Sequence, residues 1–103
     1  MNEFKLANIG IVNDMVIQTH HFKGNYPASF SLQGSLIIKN SDVKKLIKNS
    51  ANWKSLVSNK KLKPNDNLKI SKINLKSEKI NYIKLNIFPD GGISRLRIFG
   101  RIT

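Results

Sequence analysis

The stretch Tyr82-Ile83-Lys84-Leu85-Asn86-Ile87-Phe88-Pro89-Asp90-Gly91-Gly92-Ile93-Ser94-Arg95-Leu96-Arg97-Ile98-Phe99-Gly100 decides how this chain is read. Two runs that alternate apolar and polar residues flank Pro-Asp-Gly-Gly. A period of two marks strands with one buried face, and proline, aspartate and glycine supply the backbone angles of a tight connection. The expectation is a β-hairpin. In its outgoing strand Leu96, Ile98 and Ile102 alternate with Arg95, Arg97, Phe99 and Arg101. The apolar set is expected to face the core, leaving Arg95 and Arg97 side by side on the other face.

Paired guanidinium groups suit a small carboxylate, because each can donate two parallel hydrogen bonds to it. Ordinary exposed arginines, one of them paired with Asp90, explain the same spacing. Asp90 reads either as a general base or orienter, or as a residue placed in a turn for conformational reasons. His20 and His21 are adjacent, so on a strand they face opposite sides and do not share one metal or substrate. One of them is available for acid–base work near neutral pH, and a hydrogen-bonded structural role is the alternative. With two histidines, no cysteine and scattered acids, neither a metal site nor a cofactor is expected.

Outward from that stretch, Met15 to Phe22 reads as a strand with Ile17, Thr19 and His21 on one face. Lys23-Gly24-Asn25-Tyr26-Pro27 reads as a turn. From Ser29 the period of two resumes, with Phe30, Leu32, Leu36 and Ile38 in phase and Gly34 marking a bulge or a close approach. Ser41-Asp42 is an N-cap for a short helix bearing Val43, Leu46 and Ile47, and a second helical turn is read at Trp53, Leu56 and Val57. Lys60 to Asn67 reads as a loop, followed by weak strands at Leu68–Ser71 and Ile73–Leu75. The fold class expected is all-β, a jelly-roll sandwich with one or two short helices in its central segment.

The 103 residues make one domain. The formal charge of +12 invites a nucleic-acid reading, but thirteen of the fifteen lysines lie between Lys39 and Lys84 among asparagines and isoleucines. Lysine's hydrated charge suits a solvated face, and the eight aromatics are not interleaved with the lysines as stacking platforms would be. A nucleic-acid partner is therefore not expected. No apolar run approaches membrane-spanning length, and Met1-Asn2-Glu3-Phe4-Lys5 is not the start of a signal peptide. A cytoplasmic protein without a membrane partner is the expectation.

Two segments carry a family resemblance. Thr19-His20-His21-Phe22-Lys23-Gly24-Asn25-Tyr26-Pro27 resembles the D-T-x-H-F-x-G-N-x-P segment of allantoicases. Phe88-Pro89-Asp90-Gly91-Gly92-Ile93-Ser94-Arg95-Leu96-Arg97-Ile98-Phe99-Gly100 resembles that family's Y-P-D-G-G-x-x-R-L-R-x-Y-G ending. The order and separation of the two also agree, Trp53 and Leu56 match a weaker central landmark, and the likeness covers about residues 9 to 101. This chain departs from the pattern at Gln18, where the family usually has aspartate, and at Lys84, where arginine is common.

The resemblance implies a discoidin-like (galactose-binding-like) sandwich and hydrolysis of allantoate to ureidoglycolate and urea. On the matched positions it implies that Arg95 and Arg97 hold the substrate carboxylate and Asn25 hydrogen-bonds a ureido group. His21 and Asp90 would assist proton transfer. Family enzymes usually carry two such domains, each opening with a Trp- and Arg-rich strand region. A single domain beginning after that region, acting with a second copy or a companion allantoicase domain, is therefore the expectation. The competing expectation is a non-catalytic ligand- or carbohydrate-binding module, because fold does not fix function.

Overall fold

In a computed structural model, which describes residues 2–19, 28–38, 43–63, 66–88 and 93–103, the chain forms six strands and little helix. They are β1 (Asn2–Thr19), β2 (Ala28–Ser35), β3 (Lys54–Leu62), β4 (Asn67–Ile70), β5 (Ile80–Phe88) and β6 (Ile93–Ile102). A six-residue helix, α1 (Val43–Lys48), and a 3₁₀ turn at Ser50–Asn52 lie between β2 and β3. All pairings are antiparallel, with β3-β2-β5-β1-β4 in order and β6 also on β1.

The register shows how one long strand organises two layers. Gly10 of β1 pairs with Ile80 of β5 and with Ile102 of β6, so those strands lie on opposite edges of β1. Met15 likewise pairs with Ile70 of β4 and Ile98 of β6. Hence β4 and β5 follow one another along the same edge, and the Ile73 N–H donated to the Asn13 carbonyl at 2.8 Å bridges the gap between them. A straight strand of this length would span about 58 Å at ~3.4 Å per residue. The domain is 42 Å in its longest dimension, so β1 bends. Register shifts between Lys5 and Gly10 and between Val12 and Asp14 mark where it does so. The first half of β1 joins β5, β2 and β3 in one layer, and its second half joins β4 and β6 in the other.

The core lies between the layers, where Met15, Ile17, Phe30 and Leu32 are fully buried beside Val57, Leu62, Ile83 and Leu85. Leu96 and Ile98 of β6 pack against it, as the alternation predicts, whereas Ile102 is 73 % exposed at the strand's end. The all-β sandwich expected from the sequence is the fold observed.

Several local expectations are corrected. The segments flanking Pro89–Gly92 are both strands but not a hairpin: β5 pairs with β1 and β2, and β6 pairs with β1. Leu36 and Ile38 are 40 % and 78 % exposed, and Ile37 is buried instead. The cause is Asn81, whose amide donates to the Ile37 carbonyl and accepts its N–H, both at 2.8 Å, replacing a ladder partner where β2 ends. Leu56 and Val57 stand on β3 rather than on a helical turn, and β3 continues to Leu62, shortening the expected loop. Ile73–Leu75 is not a strand, although Ile73 is buried. The expected cap Ser41-Asp42 lies outside the described residues.

Candidate functional site

On the second half of β1, Met15 and Ile17 enter the core while Val16 and Gln18 face outward. Register places Arg97 beside Val16 and Arg95 beside Gln18, and on the far side Lys69 beside Val16 and Asn67 beside Gln18. The outer face of this layer therefore carries Arg95, Arg97 and Lys69 around Val16 and Gln18. Both arginines are exposed and, among the described residues, neither pairs with a carboxylate. The side-by-side placement expected from the alternation is what the fold gives. It leaves two guanidinium forks open to an anionic ligand.

His21, Asn25 and Asp90 lie outside the described residues. The residues bounding their segments are described, and those come together. Thr19, which precedes 20–27, pairs with Ile93, which follows 89–92. Ser29, just beyond the first segment, pairs with Phe88, which precedes the second. Both connections therefore start and finish on the same two strand pairs, one in each layer. Residues far apart in sequence are thus anchored at one end of the sandwich, next to Arg95.

Thr19 fixes that end. Its side chain is buried; Oγ1 donates to the Lys63 carbonyl at 2.5 Å and accepts the Asp66 N–H at 3.0 Å. The Thr19 N–H is donated to the Asp66 carbonyl at 2.9 Å. The threonine of the first motif thus ties β1 to the β3–β4 connection. Gly100, which closes the second motif, is also a packing residue, because its backbone runs against Ile11 and Val12. Sequence reasoning read neither role, since both depend on partners that only the register supplies. Among the described residues no group of three or more His, Asp or Glu gathers as metal ligands, and no helix is long and apolar enough to cross a membrane.

The family model of the allantoicase repeat matches residues 2–103. The chain belongs to the allantoicase repeat family. It is 37 % identical over 98 residues to a probable allantoicase of Pseudomonas syringae pv. syringae (strain B728a), and 36 % identical over 98 residues to one of Stutzerimonas stutzeri (strain A1501). Each match covers 95 % of this chain and 29 % of the relative, so the chain spans less than a third of the length of these allantoicases. A solved allantoicase structure superposes with a TM-score of 0.71 at 25 % identity, covering 96 % of this chain and 27 % of that one. The crystal structure of the Saccharomyces cerevisiae allantoicase gives 0.70 at 25 % identity, covering 96 % and 26 %. The allantoicase resemblance read from the two motifs is therefore correct.

Proposed function

We propose that this domain takes part in allantoicase-type hydrolysis, converting allantoate and water to ureidoglycolate and urea in the cytoplasm, with a second copy or a companion allantoicase domain completing the site. Allantoate is a small carboxylate with two ureido arms on one carbon. Arg95 and Arg97 are suited to hold the carboxylate through bidentate hydrogen bonds, and Asn25 to bond a ureido group. The C–N bond to one arm breaks, water supplies hydroxyl to the carbon, and the departing nitrogen takes a proton. His21 and Asp90 are the groups proposed to move that proton and orient the water.

The observation that carries this reading is the shared anchoring of the two family motifs at one end of the sandwich, next to an open arginine pair. The test is urea release from allantoate by the purified protein, alone and mixed with any second allantoicase-like chain from the same source. Release in either format supports the reading. Background levels in both overturn it.

A further inference from the structure

We propose that the free edge of β1 at residues 2–8 is an interface at which a second copy of this chain adds its own β1, antiparallel and related by a two-fold axis at Phe4. Over this stretch β1 pairs with β5 along one edge. On the other edge β6 stops short: Ile102 pairs with Gly10, and the Thr103 N–H is donated to the Ile9 carbonyl at 3.2 Å. Among the described residues no strand continues past that point. Alternate backbone N–H and C=O groups of residues 2–8 are therefore directed at an open edge.

The side chains there form an unfinished apolar surface. Phe4 pairs with Ile83, which lies in the core, yet Phe4 is 46 % exposed. The apolar surface continues through Leu6, Ile98 and Ile102, which line a cavity of about 200 Å³ where the free stretch meets the end of β6. On the opposite face Glu3 stands beside Lys84 and Lys5 beside Tyr82, and Glu3 Oε1 accepts the Ser50 hydroxyl at 3.2 Å. The other open edges among the described residues are guarded. β3 pairs with β2 alone and carries exposed Lys60 and Lys61, β6 pairs with β1 alone and carries Arg95, Arg97 and Arg101, and β4 has four residues. Repeated like charges and short length both oppose edge-to-edge pairing. The edge at residues 2–8 differs, because its charges are Glu3 and Lys5, which cancel.

Charge complementarity selects a second copy and fixes its register. A two-fold axis through the sheet keeps the faces of both copies aligned, so residues of one face lie opposite residues of the same face. Centring on Glu3 sets two glutamates against each other, and centring on Lys5 sets two lysines. Centring on Leu6 leaves both charges without a counterpart. Centring on Phe4 sets Glu3 opposite the partner's Lys5, and Lys5 opposite the partner's Glu3, with the two phenyl rings meeting on the core face. Opposite charges directly across a strand pair attract and like charges repel. A net charge of +12 opposes association elsewhere on the surface. In this register the layer β3-β2-β5-β1 runs on into its own copy as one sheet. The ladder is short, so a micromolar rather than a nanomolar dimer is expected.

This names a surface for the second copy that the reading above allows, and it does not depend on hydrolysis. The test is sedimentation equilibrium of the whole chain at low salt, from about 1 µM to 1 mM. A monomer–dimer equilibrium is expected. Lys5→Glu and Glu3→Lys are each expected to weaken it at least about tenfold while keeping the native circular-dichroism spectrum. Lys5 is exposed and, among the described residues, has no hydrogen bond or ion pair for its replacement to break. An equimolar mixture of the two variants is expected to associate again, since each glutamate of one then faces a lysine of the other. A natural chain that stays monomeric throughout overturns the proposal, as does a dimer that neither variant weakens or a folded mixture that stays monomeric. A monomeric chain leaves hydrolysis with a companion domain standing, and absence of urea release leaves the dimer standing, so the two proposals fail separately.

Discussion

Gly100 meets Ile11 across the β1–β6 pair so closely that a β-carbon on the glycine would fall 2.1 Å from the Ile11 carbonyl oxygen. The obstacle is backbone, which cannot rotate aside. On the other strand a β-carbon at Gly10 would meet the Arg101 carbonyl at 2.5 Å. The two glycines let β6 follow β1 closely through its bend, and so let the layers close over one core.

Gly100→Ala is therefore expected to destabilise the domain by about 3 kcal/mol, the upper part of the range for overpacking, and to lower the melting temperature by more than ~10 °C. Gly34→Ala is the control. Its β-carbon would meet only the ends of the Leu56 and Ile80 side chains, at 2.9 and 3.0 Å. Those ends can shift, so a cost of about 1 kcal/mol is expected there. Thermal unfolding of both variants measures the difference.

Thr19→Val keeps the shape of the side chain and removes its hydroxyl. The Asp66 N–H and the Lys63 carbonyl then lose their partner in a partly buried place. The expected cost is about 1–3 kcal/mol, and Thr19→Ser should recover most of it. Amide hydrogen exchange at Asp66 should accelerate in the valine variant and stay slow in the serine one.

Asn81 substitutes for a neighbouring strand by bonding both backbone groups of Ile37. Asn81→Asp retains an acceptor for the Ile37 N–H but places a carboxylate against the Ile37 carbonyl in a buried setting. A loss of about 3 kcal/mol at neutral pH is expected, easing on acidification as the carboxyl takes up a proton and can donate. Denaturant unfolding at two pH values distinguishes this from a plain loss of packing, which would not vary with pH.

Glu78 forms an ion pair with Lys54, which holds its carboxyl below the usual glutamate range, with Lys76 adding to the effect. A depressed folded-state value gives stability that is present above the unfolded-state value and is lost as pH falls through the folded one. Both groups are exposed, so the contribution is small. Lys54→Met should return the Glu78 titration, followed by NMR, towards the ordinary range with little change in melting temperature. An unmoved titration would assign the shift to other charges.

How much of this was legible in the sequence follows from what is local. The alternation around Leu96 and Ile98 was sufficient to place Arg95 and Arg97 on an outward face, because strand periodicity belongs to the strand itself. The supposed hairpin failed because alternation does not say which strand is the partner; Pro89–Gly92 joins strands of different layers. Leu56 and Val57 follow Trp53 at helical spacing, and only pairing with β2 makes them a strand. The fold and the family were legible from motifs. The row Glu3–Lys84–Gln33 was not, since its members are separated by dozens of residues and meet only through register.

Lys84, nearly buried and without a hydrogen bond or ion pair among the described residues, also yields a stability prediction. A buried stem ending in an unpaired ammonium group is worse for folding than an apolar side chain of similar length, because part of the charge's hydration is lost without compensation. Lys84→Met should therefore stabilise the domain by about 1 kcal/mol and raise its melting temperature by ~4–8 °C. A structural lysine would instead give a lower melting temperature. Thermal unfolding of the natural chain and of Lys84→Met, side by side, measures the difference.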